Sequence, residues 1–272
     1  MKERVTITIE NNLLQEIDSQ IDGTIIKNRS HAIELALSKC FQKKTLNQAV
    51  ILAGGKYTIK QDGRKIPTFM VRINGKPILE HNIAMLKRQG ITKFYLAVGF
   101  KKELIEDYFG TGEQWGIHIK YIKETEPQGT SGVLHKIGKY INSPFVMCNG
   151  DELKDINIKE MFEFHKKQGA LATIAVTTTT NPENYGVVVL NGNKVYSFIE
   201  KPKTNIPTNL INAGLYIFEP EVIQQAPLGF GRLEQDVFPK LVQKEKLSGY
   251  VFYGKWQDVR DEEALEKAMK NW

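Results

Sequence analysis

The stretch Ala49-Val50-Ile51-Leu52-Ala53-Gly54-Gly55 decides the fold: a short apolar run enters directly into two glycines. That is the pattern of a buried strand ending in a tight turn. The pattern recurs downstream. Phe94 to Val98 follows the helix-spaced Ile78 to Gln89 and stops at Gly99, and Ile117 to Tyr121, Phe145 to Cys148, Leu171 to Thr177 and Gly186 to Leu190 continue the series. Strand, helix, strand order predicts an α/β layer fold on a mixed, mostly parallel sheet. Ligands of such sheets collect beyond the carboxyl ends of the strands, so the residues at those ends are the first candidates for function.

Gly54-Gly55 lets a backbone approach a nucleotide closely, although the same pair also serves as an ordinary turn. The loop lacks the third glycine of the dinucleotide fingerprint and the Gly-Lys-Ser/Thr of a Walker loop. Asn149-Gly150-Asp151 follows Phe145-Val146-Met147-Cys148 and sets a carboxylate at a strand end, where it suits Mg²⁺ or simply caps a turn. Asp258, after Trp256-Gln257, supplies a second carboxylate if the fold brings the two together. Lys201 in Glu200-Lys201-Pro202 can neutralise a sugar phosphate, and Glu200 can accept a bond from a sugar hydroxyl. Asn212-Ala213-Gly214 has the amide and small neighbours that suit a sugar ring. Each of these motifs alone is also compatible with a hairpin boundary.

Composition narrows the classes. The chain has 272 residues, 41% hydrophobic and 25% charged, which allows one sizeable core with a small appended unit. A net charge of +6 suits an anionic partner without requiring one. The two cysteines, Cys40 and Cys148, are far apart in apolar surroundings, which argues for reduced core thiols over a zinc pair. No apolar run reaches the length of a membrane span and no signal peptide opens the chain, so a cytoplasmic location without membrane contact is expected.

Residues 1–45 read differently. Arg4-Val5-Thr6-Ile7-Thr8-Ile9 alternates strictly, the period of a strand. Leu13, Leu14, Ile17 and Ile21 recur at helical spacing, Asp22-Gly23 breaks that helix, and Asn28 or Ser30 starts another that runs to Phe41. One strand and two short helices make too little core to stand alone, so pairing with a second copy is expected, giving a homodimer or a higher even-numbered oligomer. This segment resembles the ribbon-helix-helix family of dimeric DNA-binding proteins. The resemblance implies that Arg4, Thr6 and Thr8 read bases in double-stranded DNA, and that Asn28, Arg29 and Ser30 at a helix start hold phosphate. Seven basic side chains face six acidic ones in residues 1–45, so such binding would rest on a local patch.

Residues 46–272 resemble the sugar-phosphate nucleotidyltransferases, or nucleoside-diphosphate-sugar pyrophosphorylases. The resemblance is carried in order by Leu52-Ala53-Gly54-Gly55, Asn74-Gly75-Lys76-Pro77, Gln128-Gly129-Thr130, Asn149-Gly150-Asp151, Tyr185-Gly186-Val187, Glu200-Lys201-Pro202, Asn212-Ala213-Gly214 and Trp256-Gln257-Asp258. It implies a Rossmann-like nucleotidyltransferase fold. It also implies that Leu52, Ala53, Gly54, Gly55, Gln128 and Gly129 cradle a nucleotide, that Gly186, Glu200, Lys201 and Asn212 bind sugar and phosphate, and that Asp151 and Asp258 hold Mg²⁺.

The family's loop reads Gly-Gly-x-Gly-Thr-Arg, followed by Pro-Lys-Pro. Here Tyr57 stands for the glycine, Ile59 for the arginine and Thr68 for the lysine. Two cations are absent from one phosphate site, and no catalytic residue is assigned there. The resulting expectation is a DNA-binding transcriptional regulator whose impaired nucleotidyltransferase-like body senses a nucleotide or nucleotide-sugar. The alternative is an active enzyme joining a nucleoside triphosphate to a sugar 1-phosphate, with the N-terminal module as an accessory.

Overall fold

A computed structural model describes residues 6–22, 26–41 and 45–272. Spatial proximity divides the chain into two units, Met1–Lys44 and Thr45–Trp272.

The first unit contains α1 (Asn11–Ser19) and α2 (Arg29–Phe41), where apolar spacing predicts them. Asn28 starts α2 by accepting the His31 backbone N–H at 2.9 Å. The strand expected over residues 4–9 does not form in its described part. Thr6 to Ile9 are irregular, and Arg4 and Val5 lie outside the described residues. A lone strand has no neighbour to satisfy its N–H and C=O groups, so alternation without a partner does not make a strand. The paired ribbon on which the dimer and DNA expectations rested is therefore not formed among the described residues. Arg29 does not stand free for phosphate either, because its guanidinium grips Asp18 through Nε at 2.7 Å and Nη2 at 2.5 Å.

In the second unit β1 (Gln48–Ala53) leads through the glycine turn into two small hairpins, β2 (Thr58–Gln61) with β3 (Arg64–Pro67) and β4 (Arg72–Ile73) with β5 (Lys76–Pro77). Then α3 (Ile78–Arg88), β6 (Lys93–Val98), α4 (Lys102–Phe109), β7 (His118–Lys123), α5 (Gly129–Ile137) and β8 (Phe145–Asn149) alternate. β9 (Glu152–Lys154), α6 (Ile158–Gln168), β10 (Ala172–Thr178), β11 (Gly186–Asn191), β12 (Lys194–Glu200) and β13 (Leu210–Phe218) follow. α7 (Phe238–Gln243), β14 (Leu247–Val251), β15 (Trp256–Asp258) and α8 (Glu262–Asn271) complete the order.

The nine-stranded sheet runs β10-β14-β12-β11-β13-β8-β1-β6-β7. β8, β1, β6 and β7 are parallel neighbours, the Rossmann-like half. The expectation of a mostly parallel sheet is corrected beyond β8. There β13 pairs antiparallel with β8, β11 with β13 and β12, and β12 with β14. β10 pairs with both β14 and β13, closing that half into a barrel. The reason is the connections. β11 and β12 are joined at Asn191-Gly192-Asn193, with Gly192 at φ +57°, and so short a link permits only an antiparallel pair. No helix among the described residues is long and apolar enough to cross a membrane.

From Ala49 onward β1 is apolar, because both of its faces are covered. Ala49 and Ile51 pack with Leu79, Ile83 and Leu86 of α3, whereas Val50 packs with Val133, Leu134 and Ile137 of α5. Ile51 is fully buried. Ile51→Ala should therefore destabilise the protein by about 2–5 kcal/mol, read from the urea midpoint. An unchanged midpoint would contradict a β1 buried on both faces.

Candidate active site

Two glycine turns meet at the carboxyl ends of β1 and β8. The Gly150 N–H donates to the Leu52 carbonyl at 2.9 Å, tying the turns together. A Cβ on Gly150 would meet that carbonyl at 2.8 Å, so only glycine allows the approach. Gly54 is similarly confined, since a Cβ there would lie 2.9 Å from Oε2 of Glu124, the residue that follows β7.

Beside these turns opens a cleft of about 440 Å³. Leu52, Gly55, Tyr57 and Thr68 line it from the β1 side, Thr130 from the first turn of α5, and Asn149, Asp151, Glu152 and Lys201 from in or just beyond β8, β9 and β12. Asp258, Val259 and Arg260 come from the far end of the sequence. The β9–β15 ladder is what brings Asp258 in, because its register sets Asp258 opposite Glu152, next to Asp151. Lys201 reaches the cleft with φ +45°, a left-handed backbone that is uncommon outside glycine.

The cleft concentrates charge. Burial, then the Glu152 and Asp258 carboxylates, push Asp151 up to about 7. Burial and Glu152 also raise Asp258, against the opposing pull of Arg260. Arg260 donates to the Asp258 carboxylate through Nε at 2.6 Å and also through Nη2, and its guanidinium lies 4.4 Å from the Tyr185 ring centroid. Burial, then Asp258, push Tyr185 up to about 12. Like charges this close repel in a desolvated site, and a bound dication relieves that repulsion. Asp151 and Asp258 thus fit Mg²⁺, which takes one or two carboxylates and completes its shell with phosphate and water. No cage of three or more His, Cys, Asp or Glu side chains forms among the described residues.

The other sequence candidates divide. Leu52, Gly55, Asp151, Lys201 and Asp258 line the cleft, whereas Ala53, Gln128, Gly129, Gly186, Glu200 and Asn212 are not part of its lining. Gln128 accepts the Gly231 N–H at 2.9 Å, and Gly129 turns with φ +74° against that segment. A Cβ on Gly186 would lie 3.0 Å from Glu200 Oε2, and burial followed by the Glu234 charge raises the Glu200 carboxyl. The Asn212 amide is occupied, donating to Tyr216 Oη at 2.9 Å and accepting the Gly214 N–H at 3.0 Å.

Of the altered loop positions, Tyr57 is 78% exposed at the cleft. Ile59 packs in the core with Val71, Ile73 and Val259, and Thr68 donates its Oγ1 to the Tyr57 carbonyl at 3.2 Å. Cys148 is buried and free, its thiol pushed up to about 11 by burial, so it is inert. The side chain of Cys40 lies outside the described residues.

Arg260, Glu152, Thr130 and Glu124 were not singled out from the sequence. Arg260 and Glu152 stand beside residues that were, and a charge count around Asp151 and Asp258 would have flagged both. Thr130 lies in the quoted Gln128-Gly129-Thr130 motif, next to the candidate Gly129. It bridges elements that are distant in sequence, donating to Glu234 at 2.9 Å and accepting the Leu233 N–H at 2.8 Å.

A family model described as nucleotidyl transferase matches residues 48–272. The mannose-1-phosphate guanyltransferase 2 of Candida glabrata is 37% identical over 220 residues, covering 78% of this chain and 61% of that protein. The mannose-1-phosphate guanyltransferase of Saccharomyces cerevisiae is 35% identical with the same shares. This chain thus spans about six-tenths of the length of the curated relatives it matches. The crystal structure of HddC from Yersinia pseudotuberculosis superposes with a TM-score of 0.71 at 28% identity, over 83% of this chain and 99% of that one. These matches correct the expectation of a DNA-binding regulator with an impaired body. The similarity is to proteins named as sugar-1-phosphate nucleotidyltransferases, and it favours the catalytic alternative.

The electrostatics give a direct check. In Asp258→Asn the carboxyl of Asp151 loses one neighbouring anion, so its titration midpoint, followed by carboxyl ¹³C NMR, should fall from about 7 toward the ordinary aspartate range. A midpoint that stays in place would separate the two carboxylates electrostatically.

Proposed function

The chain belongs to the nucleotidyl transferase family, and from that premise we propose that it joins a nucleoside triphosphate to a sugar 1-phosphate and releases pyrophosphate. An oxygen of the sugar phosphate attacks the α-phosphorus. The new O–P bond forms as the bond to the β-phosphate oxygen breaks, and pyrophosphate leaves with that electron pair. The observation that carries this reading is the cleft itself, where Asp151, Asp258, Lys201 and Arg260 converge beside the Gly54-Gly55 turn.

Asp151 and Asp258 would hold Mg²⁺, which when bound supplies positive charge to the phosphates. Lys201 is assigned to the phosphate of the sugar and Arg260 to charge developing on the transferring group. Leu52 to Gly55 receive the nucleoside, with Gln128 and Gly129 shaping the wall behind it. Gly186 and Glu200 are assigned to the sugar side, and Asn212 acts there by ordering the turn to Gly214.

We infer GTP as the nucleotide and mannose 1-phosphate as the first sugar to try. The names of the curated relatives support this, and so does Glu124 beside Gly54. An ionised carboxylate only accepts hydrogen bonds. The N1–H and 2-amino group of guanine offer it two donors, whereas adenine would place an acceptor against it.

Purified protein with Mg²⁺, GTP and mannose 1-phosphate should release pyrophosphate, and Asp151→Asn should lower that rate by roughly 100-fold or more. Absence of turnover across all common nucleoside triphosphates and hexose 1-phosphates would refute the reading. Glu124→Gln should reduce kcat/KM for GTP by about tenfold while leaving ATP little changed. An equal loss for both would assign Glu124 to the glycine turn alone.

A further inference from the structure

Lys154 is an unusual residue to find beneath a cleft. Its side chain is fully buried, and a buried ammonium is strongly penalised unless it is paired. Nζ donates to the Asn149 carbonyl at 3.0 Å and lies 3.4 Å from Glu152 Oε2. Its ion pair is with Glu152, and its charge also offsets Asp151 in part. Two further donors hold the Glu152 carboxylate: Asn149 Nδ2 at 2.7 Å from Oε1 and Trp256 Nε1 at 3.3 Å from Oε2.

The Glu152 side chain is 15% exposed and lines the cleft with Asp258 and Lys201. The turn Asn212-Ala213-Gly214 packs directly on it. A Cβ on Gly214 would lie 2.5 Å from Glu152 Oε2, and φ at Gly214 is +61°, so this turn is glycine partly to leave the carboxylate its place.

A carboxylate offers about four lone-pair sites; Asn149 and Trp256 donate to two of them, and the Lys154 ammonium lies at ion-pair distance from Oε2. The Lys154 ammonium offsets its charge, so the vacant site suits a neutral O–H over an ammonium. Phosphate is excluded, because it brings only acceptors and negative charge. Building on the sugar-1-phosphate reading above, we propose that Glu152 accepts a hydrogen bond from one ring hydroxyl of the sugar and so selects it, with Lys154 as the positioning residue that fixes the carboxylate.

The test uses the full chain with GTP, mannose 1-phosphate and its 2-, 3-, 4- and 6-deoxy analogues. The wild type should disfavour one analogue by about tenfold or more in kcat/KM. Glu152→Gln should erase that preference by lowering the parent sugar and sparing the one analogue. Glu152→Gln with Lys154→Met removes the whole pair, which proteins tolerate far better than breaking one, and should show the same loss at near-normal Tm. Lys154→Met alone should raise KM for the sugar phosphate and leave KM for GTP unchanged, a split that general destabilisation does not produce. An analogue preference that survives in both Glu152 variants, or an equal loss on every analogue, overturns the proposal. Absence of turnover in the wild type with every sugar overturns the parent reading, and this inference falls with it.

Discussion

The short antiparallel ladder between Glu152–Lys154 and Trp256–Asp258 is the constraint around which the candidate site is organised. Its register puts two carboxylates, Glu152 and Asp258, directly opposite each other, with Asp151 alongside. Opposed like charges in a ladder are unfavourable, and burial makes them more so. The chain offsets them from both sides. Lys154 lies beneath Glu152, and Arg260, just past the end of the ladder, clasps Asp258. Lys154 also lowers Asp151, but burial and the two neighbouring carboxylates outweigh it.

The sheet explains why this ladder faces a nucleotide-sized opening. In the parallel half, helical crossovers cover both faces of β1, and the only open ground is beyond the strand ends. In the barrel half, β13 lies antiparallel against β8 from the other side, with the β11–β12 hairpin next to it. The cleft lies at that change of direction, lined by Leu52 and Gly55 from β1 and by Lys201 after β12. The parallel and antiparallel halves therefore meet at the carboxylates, and the proposed function places the nucleoside on the first and the sugar on the second.

How far this was legible varies by the kind of signal. β1 was readable because a strand covered on both faces needs an unbroken apolar run, and Asp151 because it ends a second such run. α1 and α2 were readable from helical spacing. Asp258 was only half readable, since its role depends on a pairing that no local pattern encodes. The direction of β12 was encoded in Asn191-Gly192-Asn193, a hairpin signal overshadowed by the preceding α/β alternation. Thr6 to Ile9 show the opposite failure, in which alternation promised a strand that finds no partner among the described residues. Ile59 shows a third kind. Compared position by position it looked like a lost arginine, yet in three dimensions it completes a core with Val71, Ile73 and Val259. A core role of that kind can be read only from the fold.

That last point bears on where phosphate charge is offset. A cation on a loop between glycine turns must be ordered each time substrate binds. Lys201 instead follows directly on β12, and Arg260, two residues past the end of β15, is already held by Asp258 and stacked on Tyr185. Groups fixed in advance need little reorganisation as charge develops, and that fixity is the main source of electrostatic stabilisation in a desolvated site. On the catalytic reading, Arg260 supplies from beyond β15 a fixed cation to a site whose loop lacks its arginine and lysine. On the same reading, the buried pair of Lys154 and Glu152 extends this principle from phosphate to sugar, because a carboxylate held by two hydrogen bonds and an ion pair is fixed before a hydroxyl arrives.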